Sequence, residues 1–179
     1  LRRQRQMCIR DRNLSVQGNN VAILNGVSVT FGPEELVGVI GPNGAGKTTL
    51  LKSLLGLLKP SSGDVTLDGK TLGSWSRIDI AKRISYLAQG APCHWPMTVE
   101  KIVEIGCSPH SPPLWGVDAE DRKIVENAMR LTGISHLRDR IVTSLSGGER
   151  TLVMIARCLV SRSNLLLADE PVTGLDPRH

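Results

Sequence analysis

The chain has 179 residues, 40% hydrophobic and 22% charged, enough for one domain or most of one, with a core that must rest on aliphatic side chains because aromatics reach only 3%. No apolar run approaches the ~18 residues of a membrane span, so any membrane role read from the sequence is peripheral. The net charge of +5 does not mark a nucleic-acid binder, because residues 1–12, "LRRQRQMCIRDR", hold five Arg and one Asp and leave +1 for the rest.

Those first twelve residues are expected to be a basic tail outside the fold, or adapter-derived sequence foreign to the protein. Two β-like stretches follow, around "NLSV" and "ILNGVSVTF", then the turn "GPEE". "LVGVI" (36–40) reads as a buried strand and "GKTTLLKSLLGLL" (46–58) as a helix. "KPSSG" breaks that helix, "DVTLDG" is a short exposed strand, and "RISYLAQ" returns to strand with Gln89 at its end. From about 90 to 162 helices are joined by Pro-rich loops such as "SPHSPPLWG". One helix starts at an Asp118 N-cap, carries Ile124, Ala128 and Leu131 at helical spacing, and stops at Gly133. A second carries Leu152, Ile155, Ala156 and Leu159 on one stripe. "NLLLADE" (164–170) is the last buried strand. The pattern is an α/β nucleotide-binding core, residues 13–89 and 163–179, with a helical insert at 90–162.

Cys8, Cys93, Cys107 and Cys158 show no paired metal-ligand spacing, and Cys158 is expected to be buried packing in a reducing compartment. His94 and His110 lack an accompanying ligand cluster and read as solvated or interface residues.

Three motifs carry chemistry. "GPNGAGKT", Gly41 to Thr48, fits G-x-x-x-x-G-K-[ST] between a predicted strand and helix. Glycines at 41, 44 and 46 let the backbone curl so that its N–H groups and the helix N-terminus converge on phosphates. Lys47 can reach the β- and γ-phosphates, and the Thr48 hydroxyl can bind Mg²⁺. "LLLADE" delivers Asp169 and Glu170 to a strand end, the first suited to hold Mg²⁺, the second to act as general base toward water. Paired acids at a strand end are common alone and gain weight beside the phosphate loop. "LSGGE" (145–149) opens a helix with a second Ser-Gly-Gly, which in isolation is an N-cap and turn.

With Gly41–Thr49, Gln89, "LSGGE" and "LLLADEP" in this order, the chain resembles the ATP-binding subunit of an ABC transporter from about residue 13 to its end. The resemblance implies a P-loop NTPase core, a mostly parallel sheet with a small antiparallel β part, plus a helical signature subdomain. It implies ATP and Mg²⁺ as cofactors, with Asn43 and Thr49 completing the phosphate loop. Thr48, Gln89 and Asp169 would hold the metal, and Glu170, Gln89 and Lys47 would form the catalytic set. Two copies would pair head to tail, so that Ser146, Gly147, Gly148 and Asp176 of one serve the ATP of the other. Integral membrane permease subunits and a substrate-binding protein are the further partners implied, with no nucleic acid, at the cytoplasmic face of a bacterial inner membrane. "MTVEKIVEIGCSPH", "AEDRKIVENAMRLTGI" and "LDPRH" resemble the branch that imports iron–siderophore, haem or cobalamin.

The sequence also departs from that pattern. No aromatic precedes the phosphate loop before Phe31, Glu149 stands where Gln is usual, and the chain ends at His179, ahead of the family's switch histidine. A C-terminal truncation is therefore expected, with an incomplete core. Two other readings stay open: a non-transport ATPase of the same superfamily, in translation or DNA repair, and a fragment without activity of its own.

Overall fold

The structure is a computed structural model that describes residues 8–18, 21–90, 93, 95–110 and 116–170. The chain forms two compact units that divide after Ile80. The sequence reading grouped the strands at 84–89 and 163–170 with the phosphate loop. Ile84–Leu87 and Leu165–Ala168 lie in the second of these compact units.

The first unit is built on antiparallel β structure. Strands β1 (Ile9–Gly18), β2 (Val21–Val27), β4 (Ser62–Leu67) and β5 (Lys70–Thr71) run in the order β2-β1-β4-β5, with the short β3 (Thr30–Phe31) also on β1. β1 buries Ile9 and Asp11 at its start but Leu14 and Val16 at its end, a change of parity that a regular strand cannot make. The register shift between Arg12 and Ser15 accounts for it, and Asn13 takes a positive φ of 48° there. Gly63 faces this bulge, and a Cβ on it would sit 2.4 Å from the carbonyl oxygens of Arg12 and Asn13. Only glycine fits.

Residues 9–12 are thus strand, paired through Ile9↔Leu67 to Arg12↔Asp64, where the sequence reading left a tail. An alternating pattern of two buried positions within a run of arginines was too short to show it. β4 is likewise half-buried rather than exposed, with Val65 and Leu67 in the core.

Helix α1 (Lys47–Leu54) buries Leu50, Leu51 and Leu54 and stops earlier than its apolar periodicity suggests, because Gly56 turns the chain at φ 67°. The larger correction concerns "LVGVI". Residues 36–40 are not strand, and Leu36 and Ile40 are 103% and 96% exposed. An apolar run of this length states that burial is favourable. It cannot supply the neighbouring strands that burial requires. A short helix α2 (Arg77–Ala81) closes the unit.

The second unit packs α3 (Val99–Glu104), α4 (Ala119–Leu131) and α5 (Gly147–Leu159) with the parallel pair β6 (Ile84–Leu87) and β7 (Leu165–Ala168). Asp118 caps α4, its carboxylate accepting from Asp121 N at 2.7 Å, and Gly133 ends the turn after it at φ 72°. The buried face of α4 is Val125, Ala128 and Met129, rotated from the expected stripe, and Leu131 is exposed. α5 buries Val153, Met154, Ala156 and Cys158, while Leu152 and Ile155 are half-buried and Leu159 is exposed. A helix enclosed on most sides has no single apolar stripe to read. Gly106, just after α3, lies so close to α5 that a Cβ there would meet Arg157 O at 2.1 Å. At the far end of α5, Arg162 pairs with Asp121, tying the start of α4 to the connection before β7. Cys107 and Cys158 are buried free thiols. Burial pushes Cys107 up to about 11, with the Asp121 charge adding to it, and raises Cys158 as well.

Candidate functional site

The residues singled out from the sequence fall into two halves, one in each unit. In the first unit, Gly41–Thr48 forms a turn in which Ala45 N donates to Pro42 O at 3.2 Å. Gly44 and Gly46 have φ of 83° and 88°. Gly46 is doubly required, since a Cβ would lie 2.8 Å from Leu24 Cδ2 and 3.0 Å from Ile23 O on β2. Gly46 is also the N-cap of α1 and offers no side-chain acceptor, and the first turn holds no acidic residue. The helix therefore presents its positive end and unsatisfied N–H groups without an internal anion. Lys47 Nζ lies over the same loop, donating to Gly41 O at 2.8 Å and Pro42 O at 3.0 Å. Thr48 and Thr49 are half-buried on the first turn of α1, and Asn43 is exposed at the loop tip.

In the second unit, β6 and β7 pair from Ile84↔Leu165 to Leu87↔Ala168, and Asp169 N continues the ladder to Leu87 O at 2.9 Å. This brings Gln89 and the two acids together. Gln89 Nε2 donates to Glu170 Oε2 at 2.5 Å. Asp169, only 4% exposed, accepts from the Tyr86 hydroxyl at Oδ2, 3.4 Å away. Burial raises the Tyr86 phenol above its ordinary value, and the negative charge of Asp169 raises it further. Glu170 has a positive φ of 49°, an unusual conformation for a residue with a side chain.

The signature turn opens α5. Ser146 is the N-cap: its hydroxyl accepts from Glu149 N at 3.2 Å while the Glu149 carboxylate accepts from Ser146 N at 2.8 Å. That reciprocal cap, through the backbone bond first and the hydroxyl second, holds Glu149 below the usual carboxylate range. Arg140 braces the preceding turn through Ser144 O and Oγ at 3.2 and 3.3 Å. A Cβ on Gly147 would meet nothing within 4 Å. The fold itself does not require glycine there. Gly148 follows on the first turn.

Asp176, His94 and the terminal His179 lie outside the described residues. His110 makes a 2.7 Å hydrogen bond with Ser161 O through Nε2. Among the described residues no three His, Cys, Asp or Glu converge as a metal site. Two features escaped sequence reasoning. Tyr86 carried a signal, since a tyrosine in a buried strand needs a partner for its hydroxyl. The hydroxyls of the buried Ser85 and Ser161 and the half-buried Ser163, which join β6 to the connection before β7, carried none, because Ser85 lies more than 70 positions from the other two.

The family described as ABC transporter matches residues 24–173. The cobalamin import ATP-binding protein of Halobacterium salinarum is 40% identical over 93% of this chain and 41% of its own length. The ferric enterobactin transport ATP-binding protein of Escherichia coli K12 is 37% identical over 96% of this chain and 63% of its own. Among solved structures, a nucleotide-free ATP-binding cassette from an ABC transporter superposes with a TM-score of 0.82 at 28% identity, over 96% of this chain and 72% of that one. The chain thus spans about 40 to 65% of the length of these curated relatives.

Proposed function

The chain belongs to the ABC transporter family of ATP-binding proteins, and from that premise we propose that the whole protein is an ATPase subunit that powers a membrane importer of iron–siderophore, haem or cobalamin. The fold class, an α/β P-loop NTPase, is the one its solved neighbours share. The observation that carries the reading is the turn at Ser146–Gly148, capped within the chain yet open above Gly147. A glycine there lowers helix propensity and relieves no clash, so its use is close approach by a group from outside the chain. In a chain that already has a phosphate loop, that group is the γ-phosphate held by a second copy.

The proposed site is therefore shared. Lys47 and the loop amides of Gly41, Asn43, Gly44 and Gly46, with Thr49 beside them, bind the phosphates of one ATP. Ser146, Gly147 and Gly148 of the other copy, with Asp176, close over it. The donor set fits Mg²⁺, a hard cation that prefers oxygen: the Thr48 hydroxyl, the Asp169 carboxylate and the Gln89 amide oxygen. The Gln89 nitrogen is committed to Glu170, which leaves the oxygen as the ligand atom. When bound, Mg²⁺ neutralises phosphate charge. Glu170 takes the proton of the attacking water on its carboxylate, oriented by Gln89.

No helix among the described residues is long and apolar enough to cross a membrane. The proposed placement is peripheral, at the cytoplasmic face of a bacterial inner membrane, on permease subunits served by a substrate-binding protein. The cobalamin import and ferric enterobactin transport relatives support this branch by resemblance. The test is Glu170→Gln in the whole protein. Dimerisation with ATP should persist and turnover should fall at least a hundredfold, the scale of a lost general base. A turnover near wild type would remove Glu170 from the base role.

A further inference from the structure

We infer that Tyr86 is a positioning residue for Asp169: its hydroxyl reaches across the β6–β7 pair and fixes the orientation of that carboxylate. The inference rests on the assignment of Asp169 to Mg²⁺ made above. Three features of the strand pair support it.

First, the backbone register brings the two together. Tyr86 pairs with Leu167, and the ladder continues one step further through Asp169 N to Leu87 O. The phenol then meets Oδ2 at 3.4 Å. Second, Asp169 is almost wholly buried, so its oxygens depend on protein donors rather than on bulk water. A bond of this length stabilises little. Its effect is directional, since it tethers one oxygen of the carboxylate. Third, Tyr86 is the chain's only tyrosine. The Tyr86 side chain is half-buried and phenylalanine would keep its ring, so the hydroxyl is the part of the side chain that packing does not require. β6 and the turn that follows it thereby supply one donor for each acid, Tyr86 for Asp169 and Gln89 for Glu170. The strand is itself held to α5, where Cys158 Sγ donates to Tyr86 O at 3.6 Å.

The experiment is a Mg²⁺ titration of the binding of a fluorescent ATP analogue to the whole protein, comparing wild type, Tyr86→Phe, Asp169→Asn and the double variant. Losing one long hydrogen bond to the metal-binding carboxylate should raise the Mg²⁺ midpoint of Tyr86→Phe about two- to tenfold. Analogue binding without Mg²⁺ and the thermal unfolding midpoint should stay at wild-type values, which a merely structural role would move. In the Asp169→Asn background Tyr86→Phe should add nothing. A Mg²⁺-dependent wild type with an unmoved Tyr86→Phe midpoint, or full additivity in the double variant, overturns the inference alone. Wild-type binding that ignores Mg²⁺, or that is unchanged by Asp169→Asn, overturns the metal assignment and the inference with it.

Discussion

Gly46 and Gly147 each open a helix, and substituting each by alanine separates what the fold needs from what a partner needs. Gly147→Ala puts a methyl where nothing lies within 4 Å, on a residue without positive φ. The helix gains, by about 0.5–1 kcal/mol, from the lower backbone entropy of alanine in the unfolded chain. Gly46→Ala faces the opposite case. A left-handed alanine costs about 1–2 kcal/mol. Contacts of 2.8 Å to Leu24 and 3.0 Å to the Ile23 carbonyl add an overpacking penalty of about 1–3 kcal/mol. In urea unfolding followed by circular dichroism, at an m-value of about 2 kcal/mol/M, Gly147→Ala should shift the midpoint upward by about 0.2–0.5 M and Gly46→Ala downward by 1 M or more. In the whole protein carrying Glu170→Gln, light scattering with ATP should show a dimer that Gly147→Ala abolishes. A Gly147→Ala variant that loses more than about 1 kcal/mol, or that dimerises as its parent does, would refute the reasoning.

Asp11 gives a pH signature. Its carboxyl is buried, with Oδ1 accepting from Val29 N at 2.8 Å and Oδ2 unpartnered, and burial raises its pKa. A folded value above the unfolded one means stability that is present at low pH and lost as pH rises through the folded value. Asp11→Asn should therefore gain stability relative to wild type as pH rises above about 4 in parallel denaturant series, and a difference constant with pH would contradict this. Gly63→Ala should unfold the β1–β4 bulge region, losing several kcal/mol by the same denaturation measurement, because its Cβ would meet backbone rather than a movable side chain. Cys107 and Cys158 should resist a thiol reagent at pH 8 until the chain is unfolded, and modification within the mixing time would show that they are not buried thiols.

What could be read in the sequence was what is decided locally. The Gly44 and Gly46 turn, the Ser146 and Asp118 caps and the stop at Gly133 each depend on a few adjacent residues. The same is true of Asp169 and Glu170, placed by the length of one short strand. What failed depends on partners distant in sequence. "LVGVI" has the composition of a buried strand, but Leu36 and Ile40 have no pairing strand among the described residues. The parity slip at Asn13 hid β1 from a period-of-two reading, so residues 9–12 were assigned to a tail. The faces of α4 and α5 were misjudged because both helices meet neighbours on more than one side. Tyr86 was visible as a residue, but its acid partner lies 83 positions away.

The contact at Gly106 has a mechanical consequence. With a hydrogen in place of a side chain, the end of α3 lies against the Arg157 carbonyl of α5, with Val160 alongside. A seam this tight leaves no clearance for the two segments to slip past each other. The C-terminal part of α5, itself a stiff rod, is therefore held against the end of α3. Ser146 sits at the opposite end of that rod, about 16 Å from Arg157 at 1.5 Å per residue. A tilt of a few degrees at the seam becomes about an ångström of travel at the serine. Gly106 thus fixes one end of the helix whose other end carries the signature turn.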